Sequence, residues 1–132
     1  MTSADPLDHR EIGRQAEDRC AEFLIQQGIT IITRRFSSRG GEIDIIGLEG
    51  DQLIFFEVKD RSREGVAESA ITSQKFSRLQ RAGQAYLHQI GEPHRSHRFE
   101  LLASSPSGIK RYSFEADFIE KGAPDGAADP EE

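Results

Sequence analysis

The chain has 132 residues, which suits one domain with a buried core, and its 36% hydrophobic and 30% charged residues fit a soluble globular protein. No stretch approaches the roughly 18 consecutive apolar residues of a membrane-spanning helix, and the N-terminus lacks the pattern of a secretory signal. Cys20 is the only cysteine, which excludes an internal disulfide and a cysteine-rich zinc site. These features predict a cytoplasmic protein.

The net charge of −6 is unevenly distributed along the chain. The acidic excess lies in residues 1–8 and 115–132, whereas residues 9–114 carry 16 basic and 14 acidic side chains. The central part is therefore mildly basic, which permits a nucleic-acid partner without requiring one. We expect residues 1–8 to be flexible, residues 9–121 to form one domain, and the acidic residues 122–132 to be a disordered tail.

A helix and a strand open the predicted fold. Apolar residues recur at three- and four-residue steps between about Asp8 and Gln27, and Gly28 is a suitable helix end. Cys20 lies on this apolar stripe and is expected to pack in the core. The β-branched sequence ITIITRRF (29–36) then predicts a strand.

Two strands joined by a tight turn follow. EIDIIGLE (42–49) and QLIFFEVK (52–59) flank the sequence EGD, in which Gly50 can adopt the positive φ of a hairpin turn. Both faces of the second strand are apolar, so we expect this strand to be central in the sheet.

The remaining predicted elements are a second helix and two strands. Thr72 or Ser73 is a good N-cap for a helix over about residues 74–89. Its predicted buried face consists of Phe76, Leu79, Gly83, Tyr86, Leu87 and Ile90. HRFELLAS (97–104) and IKRYSF (109–114) predict strands. The order α-β-β-β-α-β-β predicts an α/β fold with a mixed central β-sheet flanked by helices.

Three charged side chains, Asp44, Glu57 and Lys59, interrupt the apolar hairpin. Lone charges are costly to bury, so their position requires an explanation. Residues two apart on a strand share a face, so Glu57 and Lys59 point the same way, and the hairpin brings Asp44 near the same end. An ordinary ion pair would also explain Glu57 with Lys59, and a solvated acid near a turn would explain Asp44.

A third acid, Glu17, comes from the first helix. It falls at helical spacing with Gly13, Cys20 and Leu24 and so borders the buried stripe, although a solvated position is the simpler interpretation of Glu17 alone. Three carboxylates about 6 Å apart would repel one another by roughly 8 kcal/mol at an effective dielectric constant of about 20. Such a cluster needs a cation, a shared proton or a lysine, and its oxygen ligands suit Mg²⁺ or Mn²⁺.

An acid followed one strand later by acid-x-lysine resembles the motif of the PD-(D/E)XK nuclease superfamily. More narrowly, the sequence is similar to the YraN-like family of predicted endonucleases, whose layout is similar to that of archaeal Holliday-junction resolvases. The resemblance covers about residues 11–118 and is carried by GRQAEDRCAEFLIQQG, RRFSSRGGEIDIIG, FFEVKDR and HRFELL.

This resemblance implies a restriction-endonuclease-like fold with a three-layer core, and a Mg²⁺- or Mn²⁺-dependent endonuclease that hydrolyses phosphodiester bonds in DNA. Asp44 and Glu57 match the metal ligands and Lys59 matches the catalytic lysine. Glu17 matches the acid of the first helix, which helps to place the metal or its water. A preference for branched DNA, and a homodimer that cuts two strands, are implied only by analogy with the resolvases.

Basic side chains around this end of the predicted sheet are candidates for phosphate contacts, which bind nucleic acid independently of its sequence. They are Arg34, Arg35, Arg39, Arg61, Arg63, Lys75, Arg78 and Arg81. A solvated surface also explains each of them when it is considered singly. We expect Arg39, Arg61 and Lys75 to lie nearest the candidate site.

Two other functions fit the sequence. A nuclease-like module that binds nucleic acid or a protein without cleaving is favoured by the overall acidity and by Asp60, where the YraN-like family usually has Thr. The other departure, Ala16 in place of the common Gly, is mild. A purely structural sheet protein would require all four site residues to be incidental. His94 and His97 fit a solvated loop better than a metal site, because no third ligand accompanies them.

Overall fold

Two helices and five strands follow one another in the predicted order in the computed structural model of the protein, which describes residues 9–61 and 72–114. The elements are α1 (His9–Gln26), β1 (Thr30–Ser38), β2 (Gly41–Glu49), β3 (Gln52–Asp60), α2 (Ser73–Gln89), β4 (His97–Ser105) and β5 (Gly108–Ser113). The predicted flexible segment at residues 1–8, the predicted tail at residues 122–132 and Arg63 lie outside the described residues.

The strands form one mixed sheet in the order β1-β2-β3-β4-β5. Neighbouring strands are antiparallel except β3 and β4, which are parallel, because the chain crosses from one to the other through α2. The strand β3 is central, and Leu53, Ile54, Phe55 and Phe56 are all fully buried. The predicted α/β fold with a mixed sheet is therefore confirmed.

Helix α2 covers one face of the sheet. The alternation of side chains along β3 directs Leu53 and Phe55 to this face, where they pack against Phe76, Leu79 and other buried residues of α2. The ring centroids of Phe76 and Phe99, a β4 residue, are 5.4 Å apart in an edge-to-face contact. Burial of each such side chain contributes about 1.5–3 kcal/mol, so this face holds α2 firmly on the sheet.

Helix α1 covers the opposite face, which gives the predicted three layers. Ile54 and Phe56 of β3 point to this side and pack with Cys20 and Leu24 of α1. Cys20 is fully buried, which confirms the predicted packing role, and this burial raises the pKa of its thiol to about 12. Neither described helix has the length and apolar character that crossing a membrane requires.

The ends of the elements follow the predicted signals. Gly28 (φ 88°) ends α1, and Gly50 (φ 63°) forms the hairpin turn between β2 and β3, both in the left-handed region that favours glycine. Thr72 is the N-cap of α2, and its side chain accepts a hydrogen bond from the Lys75 N–H at 3.1 Å.

Three details differ from the expectations. Ile90 is 37% exposed because it caps the last turn of α2, whereas Ala82 fills the predicted helix face instead. The strand β1 extends two residues further than predicted, to Ser38, and contains an irregular register after Ile31. His97 does not lie in a solvated loop: it begins β4, and its ring contacts the rings of buried phenylalanines.

Gly41, the first residue of β2, lies against the backbone of α2. A Cβ atom at this position would come within 2.5 Å of the carbonyl oxygen of Arg78, an approach that neither backbone can relieve by a side-chain rotation. We therefore expect Gly41→Ala to lower the free energy of unfolding by about 1–3 kcal/mol, as overpacking does. Urea denaturation followed by circular dichroism measures this difference.

The matched control is Gly13→Ala on α1, where an added Cβ meets nothing within 4 Å. This substitution should stabilise the protein by about 0.5–1 kcal/mol, because alanine favours the helix. Equal stabilities of the two variants would contradict the close approach of β2 and α2.

Candidate active site

The strands β2 and β3 separate at Asp44. Their residue pairs run from Glu49 with Gln52 to Ile45 with Phe56, and the pairing ends there. Beyond this point the Asp44 carboxylate bonds to β3 directly, because its Oδ2 accepts a hydrogen bond of 2.7 Å from the Val58 N–H. A side chain thus replaces a strand carbonyl, and the opening leaves room for a cavity.

A cavity of ≈ 500 Å³ lies between the β1–β2 turn, the end of β3 and the beginning of α2. Its charged lining consists of Arg39, Glu42, Asp44, Glu57, Lys75 and Arg78. The structure therefore brings Asp44 and Glu57 to one space, as the hairpin pattern predicts, together with three of the predicted basic residues. A second cavity of ≈ 480 Å³ shares Arg39 and adds Arg81.

The carboxyl group of Asp44 has an unusual proton affinity. Burial and the neighbouring charge of Glu57 raise the pKa of Asp44 from 3.8 to about 7, against the opposing effect of the Val58 hydrogen bond. Near neutral pH this group is therefore divided between its neutral and charged forms. A cation beside it would favour the charged form.

Lys59 and Lys75 lie beside Asp44 and Glu57, which together are called the acid pair. The Nζ of Lys75 lies 3.3 Å from Oε2 of Glu57. Burial, followed by the hydrogen bond and charge of Lys75, lowers the pKa of Lys59. Burial also acts to lower the pKa of Lys75, but the charge of Glu57 and the hydrogen bonds to Lys59 and Glu57 outweigh it, so the pKa of Lys75 is raised. Of the two lysines, Lys59 therefore loses its proton more readily than Lys75.

Glu17 is engaged by arginines, although its charge also helps to raise the pKa of Asp44. It is 6% exposed, so the solvated position is wrong, and it lies on α1, which packs on the opposite face from α2. Its two carboxylate oxygens accept hydrogen bonds from Nε of Arg34 (2.8 Å) and Nε of Arg35 (3.0 Å). Within residues 9–61 and 72–114, no group of three His, Cys, Asp or Glu side chains is placed to hold a metal ion.

The predicted nucleic-acid residues Arg34 and Arg35 thus have carboxylate partners on α1. Arg34 also donates a hydrogen bond of 2.6 Å to Asp18, which lowers the pKa of that exposed carboxyl group. Arg35 has a φ of 58°, a left-handed conformation that costs a residue with a Cβ about 1–2 kcal/mol. The ion pair with Glu17 helps to offset this strain.

The other predicted basic residues divide into two groups. Arg39, Lys75 and Arg78 line the first cavity and Arg81 lines the second. Arg61 follows β3, where its backbone N–H donates a hydrogen bond of 2.7 Å to the carbonyl of Ser104 and its charge helps to lower the pKa of Lys59.

A second charged cluster, at the other end of the sheet, was not predicted. Glu100 is 7% exposed, and its carboxylate accepts hydrogen bonds from Nε of Arg111 (2.7 Å) and Nε of Arg98 (3.0 Å). Both arginines also pair with Glu49. Glu100 lies between Phe99 and Leu101, and a charged residue that interrupts an apolar strand is the pattern that identified Asp44. The same pattern could therefore have predicted a partnered acid at Glu100. The full pairing of this cluster indicates a structural role.

Comparison with known proteins gives one family. The model of the uncharacterised protein family UPF0102 matches residues 16–103. UPF0102 proteins of Marinobacter nauticus and Shewanella loihica are 36% and 41% identical, over 78% and 83% of this chain and 85% and 95% of their own lengths. One of Dechloromonas aromatica is 39% identical over 80% of this chain and 89% of its own.

Among solved structures, the chain is similar to a protein in an EndoMS–dsDNA complex, with 16% identity and a TM-score of 0.45 over 82% of this chain and 42% of that one. The family match rests on the sequence, and it includes α1 from Ala16 onward, the hairpin and most of β4. The chain belongs to the UPF0102 family, the YraN-like family that its motifs resemble.

Proposed function

We propose that the protein is a metal-dependent endonuclease that hydrolyses phosphodiester bonds in DNA. The observation that carries this proposal is the sharing of one cavity by Asp44 and Glu57, with basic side chains on the same walls. The spacing of these acids and Lys59 matches the PD-(D/E)XK motif. Because α1 and α2 enclose the sheet as that motif implies, the fold also supports the proposal.

The two carboxylates fit Mg²⁺ or Mn²⁺. Mg²⁺ usually keeps several water molecules and is bound by one or two carboxylates together with substrate phosphate. The raised pKa of Asp44 supports a cation here, because burial and the charge of Glu57 disfavour the charged form of Asp44, which a bound cation would favour. A bound Mg²⁺ would supply a water of lowered pKa and polarise a phosphoryl oxygen. The prediction that Glu17 helps to hold the metal requires Arg34 and Arg35 to release its carboxylate.

The remaining side chains have distinct proposed roles. Lys59, whose pKa is lowered, accepts a proton from the attacking water. The cations of Arg39, Lys75 and Arg78 bind and screen the phosphate. Arg81, on the adjoining cavity, contacts the DNA backbone further from the cut. A homodimer acting on branched DNA extends this proposal by analogy with the resolvases.

A non-cleaving binding module is the alternative function. It is favoured by the ion pair of Glu57 with Lys75, which neutralises one of the two acids without a metal. Such a site could bind a phosphate through Arg39 and Arg78 and stop there. The two proposals differ in the effect expected of a divalent cation. The endonuclease would cleave DNA when the cation is added, whereas the binding module would bind the cation without cleaving DNA.

Glu57→Gln tests the proposal. We expect the wild-type protein to cut at least one of linear, single-stranded and junction DNA with Mg²⁺ or Mn²⁺, and this variant to be slower by about 10²-fold or more, because a charged ligand is lost. Gel assays under single-turnover conditions measure both rates. The matched control is Glu22→Gln, which changes an exposed acid of α1 and should cut at the wild-type rate. Metal binding without cleavage of any substrate would favour the binding module.

A further inference from the structure

Lys75 occupies a helix position that is unfavourable for a cation. It lies three residues after the N-cap Thr72, in the first turn of α2, where the helix dipole favours acids and the capping pattern favours Glu or Gln. The first turn of α2 contains no acidic residue. The helix itself therefore does not explain a lysine at this position, whereas the contact of Lys75 with Glu57 in the cavity does.

The partner of Lys75 is one half of the acid pair. Its Nζ lies 3.3 Å from Oε2 of Glu57, whose side chain is 13% exposed. Asp44 has its own fixed partner, because its Oδ2 accepts the Val58 N–H. Of the two acids, Glu57 is thus the one whose charge depends on a mobile side chain for its neutralisation.

We propose that Lys75 is the built-in counter-ion of the metal site, which neutralises Glu57 in the metal-free protein and is displaced towards the substrate phosphate when a divalent cation binds. This inference rests on the proposed function, since it requires Glu57 to be a metal ligand. Lys75 thereby keeps the empty site stable and places a cation next to the phosphate once the metal has taken over the carboxylate.

The anchored backbone and flexible side chain of Lys75 permit this movement. Its backbone is anchored by the Thr72 cap, whereas its side chain is 39% exposed and ends in a flexible four-carbon stem. The ammonium group can therefore leave Oε2 of Glu57 without any change in α2. Arg39 and Arg78 line the same cavity, so the displaced group stays beside other phosphate-binding cations.

Titration calorimetry with Mn²⁺, in the absence of DNA, tests the inference. If Lys75 competes with the metal, Lys75→Gln should bind Mn²⁺ about fivefold more tightly than the wild type, the factor that corresponds to a partly exposed ion pair of ~1 kcal/mol. The same variant should nevertheless cut DNA more slowly, because a phosphate contact is lost. A structural role alone would not tighten metal binding.

Two variants serve as controls. Lys75→Arg keeps the charge and should bind Mn²⁺ within about twofold of the wild type. Arg78→Gln removes a charge from the same cavity and the same helix, but among the described residues Arg78 forms no ion pair with Glu57, so its affinity should also stay within about twofold. An equal gain in Arg78→Gln would show a general charge effect and overturn the inference.

The remaining outcomes separate the inference from the proposed function. Unchanged Mn²⁺ affinity in a folded Lys75→Gln variant, with normal binding to the wild type, would overturn the counter-ion role alone. Absence of Mn²⁺ binding to the wild type would overturn the proposed function and the inference together. Thermal unfolding without metal identifies any variant that is not folded. If Lys75→Gln is not folded, Lys75→Arg provides the comparison, because it keeps the competing charge and should bind Mn²⁺ within about twofold of the wild type.

Discussion

Replacement of Lys59 by glutamine is expected to slow metal-dependent DNA cleavage by about 10²–10⁴-fold, the usual contribution of a general acid or base. Lys59 lies two residues after Glu57 on the α2 side of β3, and burial beside Lys75 lowers its pKa. A lysine that is easily deprotonated is suited to accept a proton from water. Glutamine keeps the length and polarity of the side chain but cannot accept this proton.

The result that identifies a catalytic role is a slower cleavage rate without a comparable loss of Mn²⁺ or DNA binding. Lys59→Gln should bind Mn²⁺ at least as well as the wild type, because it removes a cation near the acid pair. Its affinity for DNA should fall far less than its single-turnover rate. Lys110→Gln, on the exposed side of β5, is the matched control and should cut normally. Lost metal binding in Lys59→Gln would instead indicate that the lysine only supports the carboxylates.

The pH dependence of the wild-type rate follows from the same residue. Because the pKa of Lys59 is lowered, its neutral form becomes available at a lower pH than that of an ordinary lysine. The rate should therefore rise with pH over the range in which Lys59 loses its proton, and Lys59→Gln should lack this rise.

The hydrophobic pattern predicted most of the fold. The continuous apolar run in β3 and the three- and four-residue spacing in α1 and α2 identify surfaces that must be buried, and burial decides which faces meet. The glycines at positions 28 and 50 marked real ends and turns because their positive φ excludes most other residues. Ile90 was misjudged because spacing cannot show where a helix actually stops.

The electrostatics of the acids were predictable only in part. The expected repulsion among three clustered carboxylates called for neutralising groups, but spacing along one chain could not identify those groups. The structure neutralises each acid differently: Glu17 pairs with Arg34 and Arg35, and Glu57 pairs with Lys75. Asp44 instead has a raised pKa. The left-handed backbone of Arg35 and the crossover through α2, which determine these pairings, leave no mark on hydrophobic periodicity.

Replacement of Asp44 by asparagine is expected to stabilise the metal-free protein at pH 8 by about 2–4 kcal/mol, while it removes metal binding. The pKa of Asp44 is about 7 in the folded protein, against 3.8 for the ordinary group. The folded state therefore holds more protons than the unfolded state between these values, and the free energy of unfolding falls as the pH rises through them. Asparagine removes this loss and can still accept the Val58 N–H.

Urea denaturation at pH 4 and pH 8 measures the effect as the difference between Asp44→Asn and wild type, which cancels the groups that titrate in both proteins. The difference should be small at pH 4 and largest at pH 8. The control Asp51→Asn, in the exposed hairpin turn, should differ little from wild type at either pH. Mg²⁺ should restore wild-type stability at pH 8 and leave Asp44→Asn unchanged, because the cation takes the place of the proton. A difference that is the same at both pH values would mean that Asp44 is fully charged throughout, and that the site needs no cation beyond its own lysines.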